Sequence, residues 1–222
     1  VSFESGWIAG HPVFHNISDQ KTILLILLPL FEETNRLRKP MVDAMHMLAK
    51  DGIGVALPDL PGCGDSLVES MALNLSMIRD AGNAIAHEIK SSSASLFVAS
   101  LRSACLFDDI AGARAWWRLA PENGDKLMRT LMRTADTSAD EPSRRFVAGQ
   151  YLNAAFVEEL TAASAASVRS SRIVRLSSDR ADADYKFDGS PLWRRSEPTE
   201  DVVFSQYVAE DISRWIKTCA AS

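Results

Sequence analysis

Long apolar runs, basic tracts, paired cysteines and late histidines are all missing from this chain, and the absences remove several classes of function. The most apolar stretch, TILLILLPLF from Thr22 to Phe31, falls well short of the roughly 20 residues that a membrane-spanning helix requires. No membrane segment is expected. Lys and Arg total 24 against 29 Asp and Glu, a formal net charge of −5. Proteins that grip a phosphate backbone carry a basic field instead, so no nucleic-acid partner is expected. The three cysteines, Cys63, Cys105 and Cys219, lie far apart with no C-x-x-C spacing, which removes zinc and dithiol motifs and points to reduced thiols in a cytoplasmic protein. The N-terminal VSFESGWIAGHPVFHN has no basic patch leading into an apolar run, so no secretory signal is read there. Neither G-x-x-x-x-G-K-[ST] nor G-x-G-x-x-G is present, and no metal or cofactor is expected.

What remains is an ordinary globular composition, 46% hydrophobic and 24% charged over 222 residues, enough for one α/β domain spanning 1–222. Apolar runs alternate with helical patterns, the signature of a parallel sheet covered by helices. ILLILL (Ile23 to Leu28) reads as a buried strand. Leu37, Met41, Met45 and Leu48 then recur at helical spacing until Gly52. IGVALPDL (53–60) is a second strand, and Ile78, Ala81, Ile85 and Ile89 mark a helix from about Ser70 to Lys90, punctuated by SSSA. SLFVAS from Ser95 is a third strand, with a helix expected from about Arg102 to Ala113 and a short strand around AWWRLA. PENGDKLMRTLMRTA reads as a Pro-initiated helix whose Lys126, Arg129 and Arg133 form a solvated basic face. SADEPSRR (138–145) is a loop, and FVAGQYLNAAFVEELTAAS an extended piece running into a helix. SRIVRLSS and YKFDGSPLW supply late strands, and Phe204, Val208, Ile212, Trp215 and Ile216 make the apolar stripe of a C-terminal helix.

In PDLPGCGDS (58–66), Gly62 and Gly64 supply unusual backbone angles while Asp65 and Ser66 satisfy local amides. The pattern D-x-P-G-x-G-x-S after a strand, with SLFVASLRSACLF at the position of a nucleophile elbow, resembles the α/β-hydrolases. More narrowly, LPLFEETNRLRKPM, LPDLPGCGDS, SLRSA, VAGQYLNAAFVEEL and GSPLWRRSEP together resemble the exosortase A system-associated hydrolases. The resemblance implies an α/β-hydrolase-like three-layer sandwich: a mostly parallel central sheet with helices on both faces, and a reduced cap within about 114–152. It also implies an accessory or ligand-binding role linked to exopolysaccharide production and exosortase protein sorting in Gram-negative bacteria.

The catalytic residues of that fold are not in their places. Aligned with G-x-S-x-G, the elbow reads Ser100, Leu101, Arg102, Ser103, Ala104. Arg102 holds the nucleophile position, and a guanidinium has donors but no lone pair with which to attack. Members of the narrower family carry a Gly-Leu-Arg-x-Gly turn here, so the resemblance implies that the arginine is a family trait. The fold supplies its histidine after the nucleophile, whereas His11, His15, His46 and His87 all precede the elbow. An active ester or thioester hydrolase would need a displaced nucleophile such as Ser103 or Cys105, with Glu197 as a stand-in base.

Glu32, Glu33, Asn35 and Arg36 follow a strand whose loop, in that fold, borders the elbow. Two readings stay open for Arg102: a structural ion pair with Glu33 that plugs the site, or an anchor for a small anionic or carbohydrate-derived ligand, with Glu32 or Glu33 orienting it and Trp193 as a wall. The oligomeric state is not legible.

Overall fold

A computed structural model describes residues 2–90, 94–133 and 143–221. Ten strands and five α-helices are described: β1 (Glu4–Ile8), β2 (His11–His15), β3 (Thr22–Leu27), α1 (Glu32–Lys50), β4 (Gly54–Pro58), α2 (Leu75–Ile89), β5 (Ser95–Leu101), β6 (Trp116–Leu119), α3 (Gly124–Met132), β7 (Arg144–Val147), β8 (Gln150–Asn153), α4 (Ala154–Ala162), β9 (Ser171–Leu176), β10 (Tyr185–Phe187) and α5 (Val202–Ala221). Eight strands form one sheet in the order β1-β2-β4-β3-β5-β6-β9-β10, and β7 and β8 pair separately. From β4 to β10 every pairing is parallel. β2 runs antiparallel to both β1 and β4.

The continuous apolar run of β3 reflects burial on both faces, which the two-residue period of a strand divides between two cores. Ile23, Leu25 and Leu27 join Ile78, Ile85 and Phe156 on one side; Leu24 and Ile26 join Leu37, Met41, Val208 and Ile212 on the other. Helices α1 and α5 therefore cover one face, with α2 and α4 on the opposite one. β5 repeats the division: Leu96 and Val98 go one way, Phe97, Ala99 and Leu101 the other.

The expected alternation of strand and helix holds, with four corrections. Within the N-terminal stretch read only for a missing signal, Glu4 to His15 form the β1–β2 hairpin, whose turn residues Ala9 and Gly10 both have positive φ (49° and 78°); that twist suits a two-residue hairpin. α2 begins at Leu75, not near Ser70, because the Asn74 side chain accepts from the Met77 amide and caps the helix there. The helix expected from Arg102 to Ala113 is only a 3-10 turn, Arg102–Leu106. Tertiary hydrogen bonds take over the residues beyond it: the Asp108 carboxylate pairs with Ser100 and Arg118, and its carbonyl accepts from the Trp116 indole. α3 starts at Gly124, after Pro121. An added Cβ at Gly124 would stand 1.6 Å from the Leu160 carbonyl oxygen, so this glycine lets α3 close onto the end of α4.

Within 114–152, where room for a reduced cap was read, Trp116–Leu119 belongs to the central sheet, while α3 and the β7–β8 hairpin lie outside it. The loop read at 138–145 falls mostly outside the described residues, as do the serines at 91–93.

Candidate functional site

β5 delivers residue 102 to the carboxyl edge of the sheet. Arg102 has φ 55°, a left-handed conformation that costs a non-glycine residue about 1–3 kcal/mol and persists only when its surroundings hold it. The backbone thus keeps the sharp strand-to-turn bend of an elbow although both glycines are absent. Across from it, Phe31 (φ 61°) turns the chain from β3 into α1 and places Glu32 and Glu33 in the first helical turn.

The Arg102 side chain is tied to three neighbours. Its Nε and Nη2 donate to the two oxygens of Glu33 at 3.1 and 3.2 Å, Nη2 also reaches Glu122 Oε2 at 2.5 Å, and Nη1 donates to the Ala120 carbonyl at 3.2 Å. The guanidinium lies 4.9 Å from the centre of the Trp193 ring. Arg102 is 7% exposed, and the Glu33 and Glu122 side chains 14% and 2%. One buried carboxylate and one largely covered one therefore share Arg102, and Glu122 also pairs with Lys126 Nζ at 3.5 Å. Burial pushes the Glu33 carboxyl above its ordinary pKa despite the pull of Arg102. For Arg102 burial works downward, but Glu33 and Glu122 outweigh it and raise the guanidinium further.

Glu122 is the member of this cluster that sequence reasoning missed. It follows the short strand β6, at the carboxyl edge beside β5, where open α/β sheets place their ligand-binding residues. Recognising that edge required certainty about β6.

The other residues singled out from sequence do not converge here. Ser103 is buried, and its Oγ accepts from the Leu30 amide at 2.9 Å, tying the β3–α1 loop to the elbow. Cys105 is buried with its thiol 3.3 Å from the Glu122 carbonyl, and burial pushes its pKa to about 11, which leaves no useful thiolate at neutral pH. Ser100 donates to Asp108 at 2.6 Å beneath the turn. Glu197 is exposed and lines no cavity near Arg102. Asn35 faces a different cavity, with Cys63 and Gly149.

A cavity of about 680 Å³ opens over the cluster, lined by Glu32, Glu33, Arg36, Arg102, Glu122 and Trp193 among others. The basic face of α3, read as solvated, also forms one rim through Lys126, Arg129 and Arg133. Trp193 is 6% exposed, with its carbonyl accepting from Arg36 at 3.0 Å. None of the four histidines lines the cavity: His11 and His15 sit on β2, and His46 and His87 are exposed on α1 and α2.

This architecture is found in known proteins. The chain is similar to Est1E from Butyrivibrio proteoclasticus, solved with ferulic acid bound, at 13% identity and a TM-score of 0.69 over 99% of this chain and 100% of that one. It is similar to alpha/beta hydrolase domain-containing protein 10 from mouse (12% identity, TM-score 0.63, 98% and 99% covered). XC6422 from Xanthomonas campestris, an α/β serine hydrolase without a lid, aligns at 10% identity and a TM-score of 0.57 over 97% and 95%. No protein-family model matches the chain, and no curated protein matches it in sequence. At such identities the likeness establishes the α/β-hydrolase fold, and a fold does not carry an activity with it.

Proposed function

We propose that this protein uses the α/β-hydrolase fold without Ser-His-Asp chemistry, as a single-domain accessory or ligand-binding protein whose cavity over the elbow takes an anionic ligand. The observation that carries the reading is Arg102 itself: a permanently charged side chain occupies the elbow, two carboxylates hold it there, and no histidine reaches the cavity. The resemblance to the exosortase A system-associated hydrolases supplies the setting, exopolysaccharide production and protein sorting. Three unpaired cysteines fit the reducing cytoplasm. In this reading α3 and the β7–β8 hairpin serve as the reduced cap.

The test is a screen with a fluorophosphonate probe and a panel of short esters and thioesters. No covalent labelling and no turnover above background are expected. Labelling lost on Ser103→Ala or Ser100→Ala, or thioester turnover lost on Cys105→Ala, in a variant that still melts cooperatively, would establish the displaced-nucleophile alternative instead.

A further inference from the structure

Arg102 is not the group a ligand meets first, because every nitrogen of its guanidinium already donates to Glu33, Glu122 or Ala120. The cations around it are in a different condition. A second cavity, of about 260 Å³, shares Arg102, Lys126, Trp193 and Arg194 with the first and adds Ser178 and Arg180. The two cavities thus adjoin along Lys126 and Arg194.

Taken together their walls carry seven cationic side chains against four carboxylates, in a chain whose net charge is −5. Three of the four carboxylates are already paired, and of the seven cations Arg102 is taken by Glu33 and Glu122 and Arg129 by Asp125. Glu33 and Glu122 are bound to Arg102, and Asp179 accepts from Arg175 at 2.7 Å and from the Ala181 amide at 3.0 Å. Arg180 and Arg194 are exposed and make no ion pair or side-chain hydrogen bond among the described residues, while exposed Lys126 makes a single ion pair, to Glu122 at 3.5 Å. Two unpaired arginines and a lysine with one long ion pair, gathered in a recess, focus a positive potential there, and arginine forks suit phosphate and carboxylate oxygens.

We propose that Lys126, Arg180 and Arg194 form one anion site spanning both cavities, and that it takes a small ligand carrying two or more linked anionic groups, such as a diphosphate or a polycarboxylate. The inference rests on the reading of the cavity as an anion pocket and adds the valence of the ligand. Linkage matters because, once one group is held beside Arg194, the second reaches its partner at high effective concentration. A neutral sugar ring has little to recognise it here: Trp193 is nearly covered, and Arg102 lies over its ring.

Calorimetric titration of the full chain with inorganic pyrophosphate and orthophosphate, and with citrate and acetate, at matched ionic strength, tests this. At least one of the linked anions binds about tenfold or more tightly than its single-group counterpart, with affinity falling as salt is raised. Whichever linked anion binds tighter identifies phosphate or carboxylate as the recognised group. The Lys126→Ala/Arg180→Ala/Arg194→Ala variant, whose side chains are exposed and whose melting temperature should match the wild type, loses that binding. Lys217→Ala, on α5 and lining neither cavity, keeps it. If linked and single anions bind equally, the linked-group inference falls and the anion pocket survives. If no anion binds, both fall. If the triple variant binds like the wild type, the site is elsewhere and the proposal is wrong.

Discussion

Replacing Arg102 with alanine removes the cation that is bonded to both Glu33 and Glu122, and its consequences can be worked out in some detail. Deleting one partner of a buried ion pair costs about 3–5 kcal/mol, because the other charge stays buried and unanswered. Here Glu33 loses its two-pronged partner, and Glu122, whose side chain is 2% exposed, keeps only Lys126 at 3.5 Å. For a chain of this size each kcal/mol moves the melting temperature by about 2–4 °C, so Arg102→Ala should melt about 6–20 °C below the wild type at pH 8, by calorimetry or circular dichroism. The pH dependence follows from Glu33. Its folded pKa already lies above the ordinary glutamate value through burial, so the folded state holds that proton more tightly than the unfolded chain does. The associated stability is complete below the unfolded pKa and declines as pH rises through the folded one. Loss of Arg102 removes the opposing pull and widens the shift. The deficit of the variant should therefore shrink as the pH is lowered and Glu33, left without Arg102, takes up its proton. Arg102→Gly should lie about 1 kcal/mol above Arg102→Ala, since glycine adopts φ 55° without strain. An Arg102→Ala melting temperature within about 2 °C of wild type at pH 8, or a deficit that does not change with pH, would refute the argument.

Two further outcomes follow from the elbow. Ser103→Ala leaves the buried Leu30 amide without its acceptor and should cost about 1–3 kcal/mol in chemical denaturation; a neutral result would mean that the β3–α1 loop is held by other contacts. Cys105, with its pKa near 11, should resist a disulfide reagent at pH 8 in the folded protein and react at once in denaturant. Fast reaction of the native thiol would show that the turn opens.

Much of the scaffold was legible because its evidence is local. The unbroken run in β3 and the helical spacing of Leu37, Met41, Met45 and Leu48 each state their own burial. The place of every histidine before the elbow, and of Arg102 at it, was legible as well from chain order alone. The helix expected after Arg102 failed for the opposite reason. Helical periodicity continued past residue 106, but Asp108 gained more from Ser100, Arg118 and the Trp116 indole than from another helical turn.

The sequence by itself determined the alternation of strand and helix from β3 through β5 and the arginine at the elbow position, because periodicity, punctuation and residue identity are properties of short stretches. Only the tertiary structure decided that Glu122 joins Glu33 on Arg102, that Ser103 and Cys105 turn inward, and that two cavities adjoin along Lys126 and Arg194. Those contacts join the ends of strands and loops far apart in the chain. Their energy depends on burial, and a side chain's burial is settled by everything that packs around it.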